Sequence, residues 1–486
     1  MHQSSLLALL RRFSLEEWRS FGKFLHSPYH NANKRLPVFY DYLNRHSLVF
    51  GHPELERLAT WRAMYGEAAP FEGAVLRVLM AAMHKAAEQF LIAEQLRSND
   101  IMQARLLAKA FGRRQLYARF VQTTESALKN IDAQPGTEME GLLHAFLLNV
   151  NLHFHPETNG LSNESLPLRE ALRRLDEFYA FAKLRLSVEL SARANLLSEE
   201  AEYPLLSPLM DYAEATLADL DPAIRIYLLL LEINLEGLTE ERFFNLKNTF
   251  LKQRERLGRQ VQVEVLTYLM NFGNSLAALD SSLFFRELFE LSRLGVDHAL
   301  FLDNGIFPDI WFINIAVCAS VCREWEWTEQ FIREQSVRLH PKIAADAVSL
   351  ANAFLFFYQG RFETAYGLLA DIPDTDMGYQ LRRQSLSLRC LFEMMLDKPN
   401  LQELVEAKTE AFDKFLRRQK VFSRGRISAE LHFARIMRKM VRACAGPDGA
   451  AAQWQSILEE TEATIPLVSK NWLLEKQRLM LKKGTG

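Results

Sequence analysis

The stretch from Lys342 to Pro373 constrains the fold of this chain more than any other stretch. Its pattern predicts two antiparallel helices joined by a short turn at Gly360. Small residues stand where the two helices would cross, and aromatic residues stand on either side of the turn. Such a hairpin can stack on similar hairpins. In chain order, the positions that define the pattern are Ala353, Phe356, Gly360, Phe362, Ala365 and Leu369.

This order of residues resembles a tetratricopeptide (TPR) repeat, a helix hairpin that stacks on copies of itself. In the unit before it, Trp325 and Thr328 take the positions of Phe362 and Ala365, and the two aromatic residues are 37 positions apart. Phe285 indicates an earlier unit, and residues 381–419 indicate a degenerate fourth. The consensus spacing is about 34 residues, so these units are TPR-like. The resemblance implies a solenoid that binds other proteins and implies no activity.

Helical patterns continue through the rest of the chain, and no useful length of it alternates as a β-strand does. Ser14-Leu15-Glu16-Glu17 is a capping box that predicts the start of a helix, and one long helix is predicted over Met102–Ile131. The predicted fold is therefore all-α, an α-solenoid of antiparallel TPR-like hairpins with about 18–20 helices. We expect an N-terminal helical module over residues 1–155, a middle long-helix region over 156–260 and a C-terminal TPR-like superhelix over 261–486.

The run from Phe24 to Lys34, F-L-H-S-P-Y-H-N-A-N-K, resembles the F-L-x-S-P-[FY]-x-N-x-N-[KR] signature of a family of uncharacterised bacterial proteins. Within it, Pro28 ends a helix, while Asn31 and Asn33 supply turn and cap chemistry. The resemblance covers about the first 100 residues. It implies a helical, cytoplasmic protein and brings no activity with it.

Overall composition argues against several classes of protein. The formal net charge is −2 and only 24% of residues are charged, which favours neither a nucleic-acid coat nor an acidic tail. Four cysteines are too few for a disulfide scaffold in 486 residues and fit a reducing compartment. The first residues do not read as a signal peptide, and no window approaches the roughly 20 apolar residues that cross a bilayer. We therefore expect a cytoplasmic protein with no membrane association.

The first helix of the strongest hairpin is apolar almost all round, so it must be buried on every side. Ala353 and Phe356 are expected to face the second helix, and the remaining apolar side chains face the inner wall of the superhelix. Two interpretations are open. Another part of the same chain fills this wall, or the wall is a groove for an apolar or amphipathic partner segment. The groove hypothesis assigns to it Ile310, Ile313, Val317, Leu350, Phe354, Phe357 and Tyr358.

A second candidate surface is basic. Eleven Lys or Arg residues lie between Lys408 and Arg442, against three acidic residues. Positive charge at this density can bind phosphates, and two further interpretations are open: an acidic protein partner, or a merely solvated face. We call this surface the basic patch. Its members are Arg417, Arg418, Lys420, Arg424, Arg426, Arg435, Arg438, Lys439 and Arg442.

Signatures of catalysis or metal binding are weak. The sequence contains no Gly-x-Ser-x-Gly elbow, no phosphate-binding loop and no Gly-x-Gly-x-x-Gly motif. His144 and the pair His153 and His155 form the most metal-like group, but they lack further ligands. Cys318 and Cys322 share a helix face and are expected to be packing residues. We therefore expect no enzyme, no cofactor and no metal.

Taken with the repeats, these features predict a non-catalytic scaffold or adaptor that binds another protein through a TPR-like solenoid. The alternative is a nucleic-acid-associated regulator that uses the basic patch. The sequence does not identify the partner.

Overall fold

A computed structural model describes residues 4–45, 55–133, 138–155, 166–197, 199–277, 281–373, 376–419, 422, 424–444 and 451–484. Within these ranges the regular structure is helical, and the single β-bridge joins Asp303 to Ile306. The all-α prediction is confirmed. Across the same ranges, every helix is too short or too polar to pass through a bilayer.

The chain divides into two compact units, one built mainly from residues up to Phe178 and the other from residues after it. The predicted divisions at residues 155 and 260 stay predictions. The first unit contains α1 (Ser5–Leu10), α2 (Leu15–His26), α3 (Arg35–Asn44), α4 (Arg57–Tyr65), α5 (Gly73–Arg97), α6 (Asp100–Arg113), α7 (Tyr117–Ala133), α8 (Met139–His153) and the start of α9 (Leu166–Leu197).

The second unit contains the rest of α9 and fourteen further helices in its described part, most of them packed against the next helix in sequence, as in a solenoid. They are α10 (Leu206–Tyr212), α11 (Pro222–Glu236), α12 (Glu240–Gln253), α13 (Arg259–Ala277), α14 (Ser281–Asp297), α15 (Asp309–Val321), α16 (Trp325–Gln335), α17 (Ala344–Tyr358), α18 (Phe362–Ala370), α19 (Met377–Asp397), α20 (Gln402–Arg418), α21 (Arg424–Cys444), α22 (Ala451–Ala463) and α23 (Lys470–Gly484).

The predicted capping box at the start of α2 is present. Ser14 Oγ accepts a hydrogen bond from the Glu17 amide at 3.1 Å, and Glu17 Oε2 accepts one from the Ser14 amide at 2.7 Å. One turn later, Trp18 stacks on Tyr40 with ring centroids 4.8 Å apart, and its indole donates to Asn44 Oδ1 at 2.7 Å. Helices α2 and α3 are therefore held together by an aromatic stack and by the hydrogen bond of its indole N–H.

The two asparagines of the N-terminal signature form the turn between α2 and α3, as predicted. The side-chain Nδ2 of Asn31 donates to the carbonyl of Leu25 at 2.8 Å, which closes the end of α2. Asn31 Oδ1 accepts from the Asn33 amide at 2.9 Å, and Asn33 Oδ1 accepts from the Arg35 amide at 3.0 Å. The spacing N-x-N thus places one side chain at the end of a helix and the next at the start of another.

The predicted single helix over Met102–Ile131 is wrong, because the structure has α6 and α7 there with a tight turn at Gln115. The Gln115 amide donates to the carbonyl of Gly112, and the Leu116 amide donates to that of Phe111, which is a Schellman ending. Gln115 has a φ of 58°, a conformation for which glycine is usual. Breaks of this kind help to explain why the described ranges contain 23 α-helices instead of 18–20.

The hairpin of α17 and α18 has the predicted arrangement, with Ala353 and Ala365 fully buried. Its turn is also a Schellman ending, in which Gly360 has a φ of 78° and the Arg361 amide donates to the Phe356 carbonyl at 2.8 Å. The Phe356 ring is half-buried, with the guanidinium of Arg361 4.3 Å from its centroid.

The preceding hairpin of α15 and α16 ends its first helix in the same way. Arg323 has a φ of 61° and takes the position of Gly360, and Trp325 starts the next helix two residues later, as Phe362 does. Thr328 is fully buried at the position that corresponds to Ala365. The two predicted units therefore share a turn geometry as well as a sequence spacing.

Candidate functional site

The residues assigned to an apolar groove differ in exposure. The side chains of Ile313, Leu350, Phe354 and Phe357 are buried, those of Val317 and Tyr358 are half-buried, and Ile310 is 60% exposed. The guanidinium of Arg389 on α19 lies 5.6 Å from the ring centroid of Phe354 and 4.9 Å from that of Phe357. The ring of Trp472 on α23 lies 6.3 Å from Phe357. Two helices of the same chain thus contact this part of the wall, and a partner-binding role for it stays a prediction.

Beside this wall is a buried polar cluster on α19 and α23. Glu393 is 6% exposed, and its Oε1 accepts a hydrogen bond from Trp472 Nε1 at 2.6 Å. The same oxygen accepts from Lys476 Nζ at 2.9 Å. A buried carboxylate requires such partners, since an unpaired charge away from water is costly. The cluster attaches α23 to α19.

A cavity of about 680 Å³ opens next to this cluster, within the second unit. Its walls come from α13 to α19, from the connection before α23 and from α23 itself. Five cationic and two anionic side chains line it, whereas the whole chain has a net charge of −2. We call it the cationic cavity. The charged residues are Arg286, Arg323, Arg389, Lys470, Lys476, Glu393 and Glu475.

Three of these cations already have partners. Arg286 is paired with Glu290 at 3.1 Å and also with Glu324. Lys470 Nζ donates to the carbonyl of Glu462 at 2.7 Å, and the Lys476 ammonium is held by the Glu393 carboxylate. Cations satisfied in this way contribute less to the binding of an added anion.

The other two cations differ, because neither guanidinium has a hydrogen bond or ion pair to any described residue. Arg323 is exposed at the end of α15, where its side chain can reorient. Arg389 is only 5% exposed, and its Nε lacks an acceptor in the described part of the chain. A buried donor without an acceptor costs about 1–3 kcal/mol. A carboxylate or phosphate that reached Arg389 would remove this cost and form a charge-assisted hydrogen bond.

A buried glutamate lies within electrostatic range of Arg389. Glu430 on α21 is 7% exposed, and its Oε2 lacks a donor among the described residues. Burial raises the pKa of this carboxyl to about 7, against the opposing effect of Arg389 and Arg426. Below that pH the side chain is mostly neutral and compensates little of the charge on Arg389.

Aromatic side chains form the apolar part of the same cavity. They supply flat surfaces next to cationic groups, a combination that suits the binding of peptide side chains. Trp325 and Phe362 are the first residues of α16 and α18, so the repeated turn places an aromatic residue at the cavity in each hairpin. The aromatic lining residues are Phe285, Trp325, Phe357, Tyr358, Phe362 and Trp472.

The basic patch lies on α20 and α21. Arg417, Arg418, Arg424, Arg426, Arg435, Lys439 and Arg442 are exposed, Arg438 is half-buried, and Lys420 lies outside the described residues. Part of the charge is neutralised by carboxylates. Arg417 pairs with Asp413 at 2.7 Å, and Arg435 and Lys439 both pair with Glu460 on α22, at 3.3 Å and 2.5 Å.

His153 and His155, two histidines of the predicted metal-like group, each contact an aromatic ring. The ring of His155 stacks on Phe120 with centroids 4.5 Å apart. His144 is buried, and burial followed by the charge of Arg105 lowers the pKa of its imidazole. Among the residues that the structure describes, no three His, Cys, Asp or Glu side chains are grouped so as to hold a metal ion.

Arg389 and Glu393 were not predicted as site residues, because in the sequence they resemble ordinary charged positions of a helix surface. The sequence did contain one signal of their burial. Arg389 and Glu393 are four positions apart and therefore share a face of α19, and this face also carries fully buried leucines such as Leu386.

No family model matches the chain, and no curated protein is significantly similar to it. The structure itself defines the class: an all-α protein whose helices stack largely in sequence order. The resemblances to TPR repeats and to the bacterial family stay predictions.

Proposed function

We propose that this chain is a non-catalytic scaffold or adaptor that binds an acidic segment of a partner protein in the cationic cavity. The observation that carries the proposal is Arg389, a buried guanidinium whose Nε has no acceptor among the described residues, in the wall of a cavity with five cations and two carboxylates. Arg323 adds a second cation at the same site, and it pairs with no acidic side chain in the part of the chain that the structure describes. Acidic side chains or a terminal carboxylate supply the missing acceptors.

The size and lining of the cavity support a peptide segment as the ligand. A volume of about 680 Å³ holds a few side chains, which is within the range of roughly 300–1,000 Å³ typical of ligand sites. Aromatic residues such as Trp325 and Trp472 can anchor apolar side chains of the segment, while the cations select for negative charge.

Affinity capture tests this proposal. Tagged full-length chain is incubated with nuclease-treated lysate of its own host, beside an Arg323→Glu variant and a control Arg333→Glu variant on the exposed face of α16. We expect one protein to be recovered stoichiometrically with the wild type and with Arg333→Glu, and to be lost with Arg323→Glu. Equal recovery with all three baits would exclude the cavity as its binding site.

A second candidate function is a nucleic-acid-associated regulator. The observation in its favour is the row of exposed arginines on α20 and α21, of which Arg418, Arg424 and Arg442 have no carboxylate partner among the described residues. Phosphate binding would weaken steeply as salt rises, by about 10³-fold or more for six contacts between 50 and 200 mM. A variant with Arg417, Arg418, Arg424 and Arg426 changed to Glu would abolish binding of a single-stranded oligonucleotide, and Arg323→Glu would leave it unchanged. Absence of binding by the wild type at low salt would exclude this function.

A further inference from the structure

Three helices of the second unit begin at the cationic cavity. Trp325 and Phe362, the first residues of α16 and α18, line it, and so do Lys470, Asn471 and Trp472, which form the start of α23. The unpaired N–H groups at the start of a helix together carry a partial positive charge of about half an elementary charge. Helix starts that border one cavity therefore add to the positive potential of its cationic side chains.

Of these three helix starts, that of α23 has the least compensation. Its first turn contains no Asp or Glu, whereas the first turns of α16 and α18 contain one glutamate each. The amide of Leu473 donates to the carbonyl of Ser469 at 3.1 Å, which is the first backbone hydrogen bond of the helix. The three amides before Leu473 donate to no oxygen in the described part of the chain. A negative group in the cavity can accept hydrogen bonds from them.

A second observation, independent of the helix starts, points to an anion in the same cavity. Arg389 lines it and is only 5% exposed, and its Nε lacks an acceptor among the described residues. The ring centroids of Phe354 and Phe357 lie 5.6 Å and 4.9 Å from its guanidinium and restrict its movement. A guanidinium oriented in this way loses little freedom when it binds an oxyanion.

The charge of the lining favours a doubly charged ligand group over a singly charged one. Five cationic side chains and two carboxylates line the cavity, an excess of three positive charges. A carboxylate compensates one of these charges and presents two oxygens. A phosphate monoester carries a charge of about −1.5 to −2 at pH 7 and presents three oxygens, so it accepts hydrogen bonds from donors on several sides.

We propose that the acidic segment bound in the cationic cavity carries a phosphorylated serine or threonine, whose phosphate lies between Arg389 and the start of α23. The inference rests on the proposed function, because it specifies the ligand of the same cavity. The aromatic lining favours a phosphorylated peptide over a free phosphate ion, since Trp325 and Phe362 offer surface that an inorganic ion leaves uncovered. Phosphorylation of the partner would then regulate its affinity for this chain.

Isothermal titration calorimetry with three peptides tests the inference on the full-length chain. Each peptide contains glutamates and one phenylalanine, and its central residue is phosphoserine, glutamate or serine. We expect the phosphoserine peptide to bind at least about tenfold more tightly than the glutamate peptide. Inorganic phosphate, titrated alone, should bind more weakly than the phosphoserine peptide.

The Asn471→Asp variant separates an effect on binding from an effect on folding. An acidic residue in the first turn stabilises a helix, so this variant should melt no earlier than the wild type. Its added charge repels a phosphate at the start of α23, and we expect it to lose more affinity for the phosphoserine peptide than for the glutamate peptide. The control is Asn248→Asp on the exposed side of α12, outside the cavity, which should leave both affinities unchanged.

Two results would overturn the inference and leave the proposed function intact. One is equal affinity of the wild type for the phosphoserine and glutamate peptides, and the other is inorganic phosphate that binds as tightly as the phosphoserine peptide. An Asn471→Asp variant that binds the phosphoserine peptide as the wild type does would contradict the placement of the phosphate at α23. Failure of the wild type to bind any of the three peptides would contradict the proposed function as well.

Discussion

Trp472 donates its indole N–H to the buried carboxylate of Glu393 across 2.6 Å, and this bond joins the last helix of the structure to α19. Lys476, one turn further along α23, donates to the same carboxylate oxygen. The three side chains border the cationic cavity. Helix α23 is therefore held next to the cavity by a polar cluster as well as by apolar packing.

Replacement of Trp472 by Phe tests this attachment. The variant loses the hydrogen bond to a charged acceptor, and we expect a cost of about 2 kcal/mol. This corresponds to roughly 30-fold faster amide hydrogen exchange in α23. The matched control is Trp327→Phe, since the Trp327 ring stacks on Phe331 and its indole has no hydrogen bond to the described residues. Equal exchange rates in the two variants would contradict the role of the indole N–H.

Replacement by alanine should change the stability of the protein in opposite directions at two glycines of the second unit. A Cβ at Gly295 would lie 2.7 Å from Leu266 Cδ2 and closer still to the ring of Phe301, and both of these side chains are buried. We expect Gly295→Ala to destabilise the protein by about 1–3 kcal/mol. At Gly367, within α18, no atom lies within 4 Å of the added carbon, so alanine should stabilise by about 0.5–1 kcal/mol.

Urea unfolding of the two glycine variants, followed by circular dichroism, measures both effects on one protein. The wild type gives the reference midpoint. A Gly295→Ala midpoint at or above that of the wild type would be inconsistent with the described packing of α13 and α14, and a Gly367→Ala midpoint below it would contradict the open space at α18.

Glu430 should make stability depend on pH. The pKa of its carboxyl is raised from 4.5 to about 7 in the folded chain, so the folded state binds a proton more tightly than the unfolded state. Stability contributed by this group is present below pH 4.5 and is lost as the pH rises through about 7. We expect a loss of roughly 2–3 kcal/mol between these limits in the wild type.

The Glu430→Gln variant lacks this titration. Its free energy of unfolding should change less than that of the wild type between pH values of about 5 and about 8. The control is Glu241→Gln on the exposed side of α12. A wild-type profile that the Glu430→Gln substitution leaves unaltered would show that Glu430 ionises normally.

Local features were the most predictable from sequence. The capping box at Ser14 and Glu17, the asparagine turn at Asn31 and the glycine turn at Gly360 each depend on residues within a few positions of one another. Such signals can be recognised from a short stretch of sequence alone. The all-α fold was predictable for the same reason. Gln115 shows the limit, because its turn uses a residue that gives no sign of positive φ.

Features that depend on distant contacts were not predictable. Glu393 and Arg389 are buried only because α17 and α23 cover their face of α19, and charged residues on a helix normally indicate a solvated surface. The charge of the basic patch was overestimated because Glu460, which neutralises Arg435 and Lys439, lies outside the basic stretch in sequence. Pairing across helices cannot be read from local charge density.

Isothermal titration calorimetry with an acidic peptide tests the central claim most directly. The probe is a peptide of glutamates with one phenylalanine, and its control replaces each Glu by Gln. We predict that wild-type protein binds the acidic peptide and does not bind the Gln control. Arg323→Gln and Arg389→Gln should each weaken binding at least about tenfold, a loss of roughly 1.4 kcal/mol. Arg333→Gln should leave the affinity unchanged. Undetectable heat with wild-type protein, or equal affinity in all variants, would contradict the assignment of the cationic cavity as a binding site.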